Sequence, residues 1–142
     1  MKTTQAAWAA GMFDADGCVR VRRQRKPEGI YYALMIDITQ SGEIVPNSIV
    51  LLARLFGGTP LPSKDHRPGR QRRWSWRLSS QQAASFLRAI LPYAVGKREQ
   101  IKLGLEFQKR ATGRHGPRRN VALQESYYQH ISALKHYRKS DQ

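Results

Sequence analysis

Between Cys18 and Thr39 the chain changes polarity at nearly every second residue, and this alternation limits what it can fold into more than any other feature. Over 18–26, Val19 and Val21 fall on one side while Arg20, Arg22, Gln24 and Lys26 fall on the other. Pro27-Glu28-Gly29 supplies turn chemistry. Beyond it Tyr32, Leu34, Ile36 and Ile38 face one way and Tyr31, Ala33, Met35, Asp37 and Thr39 the other. A period of two belongs to a strand half buried against a core, so these residues predict a hairpin that is apolar on one side only. The pattern returns later: Thr59 to Lys64 reads as a short strand blunted by proline, 65–69 as a turn, and Arg70 to Ser79 as a strand with Trp74, Trp76 and Leu78 set against Arg73, Ser75 and Arg77.

Helical spacing occupies the rest. Thr3 or Thr4 can cap a first helix that runs through Gln5-Ala6-Ala7-Trp8 to about Asp14 and stops at Asp16-Gly17. A second starts near Val45 or Pro46, carries Ile49, Leu52, Ala53, Leu55 and Phe56, and ends at Gly57-Gly58. Ser79 or Ser80 should cap a third, with Phe86, Leu87, Ile90 and Leu91 ahead of Pro92, and a fourth begins at about Lys97 and holds Ile101, Leu105 and Phe107. Thr112 to Arg119 is a basic loop, and Val121 to His136 spaces Tyr127, Ile131 and Leu134 as a last helix. The order helix, strand, strand, helix, strand, strand, helix, plus two helices, describes an α+β domain with an antiparallel sheet. At 142 residues the chain, 1–142, is expected to be one folded domain.

The outward sheet face is where charge matters. Lys and Arg number 25 against 10 Asp and Glu, a formal net charge of +15, which calls for a polyanionic partner. The basic residues lie mostly on the predicted strands and loops, not on a basic amphipathic helix of the kind that lies on membranes, so nucleic acid is the expected ligand. A β-ribbon fits the major groove, and Arg20, Arg22, Gln24, Lys26, Tyr31, Asp37, Lys64, Arg70, Arg72, Arg73, Ser75 and Arg77 are the candidate DNA contacts. No apolar run reaches the ~18 residues of a membrane span, and no secretory layout opens the chain, so an intracellular setting is expected, in a prokaryote, a phage host or an organelle. Cys18 is the sole cysteine, which excludes an intrachain disulfide and leaves it as buried filler. His66, His115, His130 and His136 are scattered, Gly29-Ile30-Tyr31 lacks the second half of a GIY-YIG nuclease motif, and no phosphate-binding Gly-Lys-Ser/Thr loop occurs.

Against this basic background stands Ala9-Ala10-Gly11-Met12-Phe13-Asp14-Ala15-Asp16-Gly17. Two carboxylates end an alanine-rich helix, where the macrodipole favours Lys or Arg by about 0.3–1 kcal/mol. Broken local rules mark functional sites, and a hard divalent cation bound through carboxylate oxygen is the simplest ligand that rewards this one. Ala7, Ala10, Gly11 and Asp14 share a stripe of small residues suited to close helix packing, while Trp8, Met12 and Phe13 supply bulk for the core.

The segment resembles the LAGLIDADG signature of homing endonucleases, identical at Ala10, Gly11, Asp14, Ala15, Asp16 and Gly17. Two further landmarks match the single-motif members: Thr39-Gln40 at the end of the second strand, and Pro92-Tyr93-Ala94-Val95-Gly96-Lys97 after the third helix. The resemblance covers about residues 4–110, with 111–142 as a helical extension, and implies an αββαββα core with a saddle-shaped sheet. It implies a homodimer joined through Ala7, Ala10, Gly11 and Asp14 that cuts double-stranded DNA at a long pseudo-palindromic site and leaves 3′ overhangs. Asp16 and the Ala15 carbonyl would hold Mg²⁺, with Mn²⁺ or Ca²⁺ able to replace it for binding, and Gln40 and Lys97 would arrange the water around the scissile phosphate. Asp14 would shape the helix end. Intron or intein mobility is the implied context. The alternatives are an RNA maturase, with intron RNA as ligand, and a derivative that binds DNA without cutting. One departure is plain: Ser41-Gly42-Glu43-Ile44 offers no basic residue where the family often has one after the glutamine.

Overall fold

The computed structural model describes residues 1–64, 68–111 and 120–140, the last five of these as backbone. The expected loop Thr112–Arg119, residues 65–67 of the expected turn, His66, His115 and the His136 side chain therefore lie outside the described residues. The elements follow in the order α1 (Thr3–Asp16), β1 (Gly17–Lys26), β2 (Gly29–Ser41), α2 (Asn47–Phe56), β3 (Leu61–Pro62), β4 (Arg73–Ser79), α3 (Ser80–Ile90), a 3₁₀ turn (Leu91–Tyr93), α4 (Arg98–Arg110) and α5 (Val121–Ser140). All strand pairs are antiparallel, in the spatial order β1-β2-β4-β3.

The alternation places the core. Val19 pairs with Ile36 and Val21 with Leu34 in one register, while Ile36 and Ile38 meet Leu78 and Trp76 in the next, and all of these side chains are buried. Over them lie Phe13 of α1, Phe56 of α2 and Phe86 of α3. Phe86 stands edge-on to Phe13, Phe56 and Trp76, with ring centroids 5.4, 4.7 and 5.1 Å away, the geometry that aromatic quadrupoles favour. Trp76 satisfies its indole N–H on the Gly57 carbonyl at 2.8 Å. Helix α4 comes unusually near the sheet because Gly104 has no Cβ; one built there would sit 3.0 Å from Val19 and 3.1 Å from Leu34.

Several boundaries differ from the sequence expectation. Neither Thr3 nor Thr4 caps α1: the cap position is Lys2, whose backbone N–H donates to Gln5 Oε1 at 3.1 Å. The strand expected from Arg70 begins at Arg73, so Arg70 and Arg72 are exposed residues leading into β4. Lys97 caps α4 instead of opening it. Helix α5 is capped by Asn120, whose side chain accepts the Leu123 N–H at 3.0 Å. Cys18 is not core filler; it is half-buried on the edge strand with Sγ 2.9 Å from Lys135 Nζ. Among the described residues no helix is long and apolar enough to cross a membrane.

Beyond Val21 the inward row of β1 turns polar at Arg23, and α5 answers it. Arg23 pairs with Glu125 at 2.6 Å and lies over the Tyr128 ring at 4.3 Å, while the Tyr32 hydroxyl donates to the same carboxylate. The bond from Tyr32, then that from Gln129, lowers the Glu125 pKa; partial desolvation opposes them and the charge of Arg23 adds to them. A lowered carboxyl pKa contributes stability that is complete above the ordinary glutamate value, ~4.3, and is lost as pH falls through the native value. Glu125→Gln should therefore lower the melting temperature at neutral pH, and its stability should fall less than wild type's on acidification to pH ~3. Parallel pH profiles in thermal unfolding would show that this carboxylate does not hold α5.

Candidate active site

Helix α1 passes into β1 without a linker, Asp16 being the last helical residue and Gly17 the first of the strand. Glycine is required by space: a Cβ on Gly17 would stand 2.3 Å from a Phe13 ring carbon. The junction fixes both acids relative to the core, because Phe13, one residue before Asp14, is fully buried.

The two acids do different work. Asp14 spreads its carboxylate over the segment between α3 and α4, accepting the Val95 N–H at 2.8 Å and the Lys97 N–H at 3.0 Å. Lys97 returns its ammonium to the Asp14 carbonyl at 2.7 Å. That carbonyl lies in the last turn of α1, where intrahelical donors run out, and the lysine supplies both a donor and the positive charge that the macrodipole favours there. Asp16 is exposed and faces Gln40, whose Nε2 donates to Asp16 Oδ2 at 3.3 Å. The next carbonyl along, that of Ala15, also lacks an intrahelical donor on an exposed residue. Asp16, Ala15, Gln40 and Lys97 thus converge on one helix end.

Ser48 also belongs to this cluster, and the sequence reading missed it. Its hydroxyl donates to Gln40 Oε1. The available signal was indirect: Gln40 continues the buried row of Ile36 and Ile38, and a polar residue in an apolar phase needs partners.

On the opposite side of the sheet the expected outward residues share a face. Arg20 lies opposite Met35, Arg22 opposite Ala33, Gln24 opposite Tyr31 and Asp37 opposite Arg77. Thr39 and Ser75 touch through their hydroxyls at 3.0 Å. Arg22 donates to Gln24 at 3.2 Å, Lys26 lies over the Tyr31 ring at 5.0 Å, and Asp37 draws Arg20 to 3.7 Å. Arg73 joins this face through its pairing with Ser41. Lys64 is exposed beside a groove of about 670 Å³ that Leu61, Ser63, Ser75 and Arg77 also line.

The small-residue stripe needs correction. Ala10 is fully buried with Ala6, Ala9 and Phe13 against the chain's own core, so it has no surface to offer a second copy. The exposed stripe is Thr4, Ala7, Gly11 and Ala15, and a Cβ on Gly11 would meet no atom within 4 Å. Asp14 is committed to residues 95 and 97.

No family model matches the chain, and no curated protein sequence matches it. Solved structures do. The homing endonuclease I-CvuI, in complex with the I-CreI target in 2 mM Mg with the DNA not cleaved, superposes with a TM-score of 0.73 at 22% identity, covering 92% of this chain and 82% of that one. The archaeal intron-encoded homing endonuclease I-Vdi141I, complexed with DNA, gives 0.60 at 14% identity over 75% and 67% of the two chains. The fold is that of the LAGLIDADG homing endonucleases. A further LAGLIDADG structure, I-GzeII with its DNA target, matches at a TM-score of 0.58 and 11% identity, covering 73% of this chain but 35% of its own length.

The division of labour between the two acids predicts opposite effects on stability. Asp14→Ala removes two hydrogen bonds from backbone amides to a carboxylate, that of Val95 exposed and that of Lys97 part-buried, and should cost about 1–3 kcal/mol in denaturant unfolding. Asp16→Ala removes an acid from the wrong end of the macrodipole and should leave stability unchanged or raise it. Equal losses from both would mean that Asp16 too is structural.

Proposed function

We propose that the chain is a metal-dependent, site-specific DNA endonuclease of the LAGLIDADG type, acting as a homodimer. The observation that carries this reading is the meeting of Asp16 and Gln40 at 3.3 Å on the same helix end that anchors Lys97, in a chain whose opposite sheet face is cationic. The solved neighbours that share the fold include complexes with target DNA in Mg or Ca, which supports the same reading. Domain limits follow: 1–142 is one endonuclease domain, its core about 4–110 and its helical extension 111–142.

Asp16 and the Ala15 carbonyl are hard oxygen donors of the kind that suit Mg²⁺, Mn²⁺ or Ca²⁺. Among the described residues no three His, Cys, Asp or Glu side chains gather into a metal site. One carboxylate therefore has to be completed by phosphate oxygen and water, which ties cation binding to the presence of DNA. The cation, when bound, supplies Lewis-acid neutralisation of the charge that grows on phosphate oxygen. Gln40 donates a hydrogen bond into the site and orients water in line with the scissile bond, and Lys97 adds fixed positive charge beside the same helix end. The open face reads base edges through Arg20, Arg22, Gln24, Arg73 and Arg77, with Lys26, Lys64, Arg70 and Arg72 on phosphates and Tyr31, Asp37 and Ser75 completing the surface. One such site serves one strand. A second copy packed along Thr4, Ala7, Gly11 and Ala15 supplies the other, so a double-strand cut with 3′ overhangs at a pseudo-palindrome requires the dimer.

The deciding experiment is selection of cleaved sites from a randomised duplex library in Mg²⁺, beside Asp16→Asn at matched salt. Wild type should enrich one long pseudo-palindrome, and the variant should bind that site without cutting it. Tight, salt-sensitive binding with no cut by either protein would overturn the nuclease reading in favour of a maturase or a non-cutting binder. Gly11→Leu should fold normally, since the protomer leaves that space open, yet sediment as a monomer. A surviving dimer would place the interface elsewhere.

A further inference from the structure

We propose that Ser48 is a positioning residue for Gln40, latching its amide so that the nitrogen stays on Asp16; the role in cleavage rests on the nuclease reading above. Gln40 is the last core-phase residue of β2, opposite Trp74, and emerges half-buried beneath the end of α1. Both ends of its amide are engaged, Nε2 with Asp16 Oδ2 at 3.3 Å and Oε1 with the Ser48 hydroxyl. An ionised Asp16 only accepts, so the amide nitrogen has to face it, and the hydroxyl is the group that can donate to the remaining oxygen.

The two bonds are not equally durable. A divalent cation arriving with DNA competes for Asp16 oxygen and weakens the bond from Gln40 to Asp16. The Ser48 bond then keeps the Gln40 side chain over the site. Ser48 suits this task because it stands in the first turn of α2, next to fully buried Ile49, and a polar group on a packed helix loses little by being held still. Its hydroxyl is also neutral. The residues after Gln40, Ser41-Gly42-Glu43-Ile44, bring no cation to the cluster, and a serine steadies Gln40 without competing with the metal for Asp16.

The test compares wild type with Ser48→Ala, Ser48→Thr, Gln40→Ala and the Ser48→Ala/Gln40→Ala double variant on the selected duplex. Ser48→Ala should slow single-turnover cleavage in Mg²⁺ by about tenfold, the scale of lost supporting hydrogen bonds around metal sites, while DNA affinity in Ca²⁺ and the melting temperature stay unchanged. Ser48→Thr, which keeps the hydroxyl, should restore the rate. In the double variant the serine change should add no loss beyond that of Gln40→Ala, because one residue acts through the other. The ¹⁵N order parameter of the Gln40 side-chain amide, assigned by its disappearance in Gln40→Ala, should fall in Ser48→Ala and recover in Ser48→Thr. Additive losses, or an unaltered amide order parameter in Ser48→Ala, would overturn the assignment. Absence of cleavage by wild type would defeat the nuclease reading alone, and the amide order parameter would still decide the latch.

Discussion

The arrangement depends first on the two hydrogen bonds that the Asp14 carboxylate accepts from the Val95 and Lys97 amides, closed by Lys97 Nζ on the Asp14 carbonyl. This tie joins the end of the first helix to the turn after the third across some eighty residues of chain. It gives an acid at the unfavourable end of a helix dipole a structural purpose, and it lets the second acid, two residues on, stay exposed. It sets Lys97 beside Asp16, while buried Ile101 and Phe107 and the close approach of Gly104 hold the rest of α4 to the core.

The two faces of the sheet divide the labour. The inner face spends its alternate residues on Val19, Leu34, Ile36, Ile38, Trp76 and Leu78, and the aromatic contacts of Phe86 lock α1, α2 and β4 to one another. The outer face carries the charge, with Arg20, Arg22, Arg73 and Arg77 on it. Where the inner row runs past the core at either end, it becomes polar and gains partners: Arg23 meets Glu125 of α5, and Gln40 meets Asp16 and Ser48. The first stabilises a helix. The second builds a site.

The order of elements, the inward and outward rows of the hairpin and the identity of the outward arginines were legible from the chain because period-two and helical patterns are local. The acidic motif was legible because it breaks a local rule. Ala10 was misread for a geometric reason: Ala7, Ala10 and Gly11 are neighbours on a helical wheel, and their spacing alone does not say which of them faces the core. Burial assigned Ala10 to the protomer and left Ala7 and Gly11 outside. The short start of β4 and the cap on Lys2 were missed because helix and strand ends are set by competing tertiary bonds more than by propensity.

The α+β class, the cationic face and the pair of acids at a helix end can be read from the chain alone, since each follows from the spacing and type of neighbouring residues. The resemblance implies that Asp14 shapes the helix end and that Asp16 is the metal acid; the tertiary structure supplies the physical reason, two backbone amides some eighty residues away that bind Asp14. It alone decided that Arg23 serves the helix side, that Ala10 is core, and that Ser48 holds Gln40. Those facts rest on contacts between segments distant in the chain, and no local pattern records them.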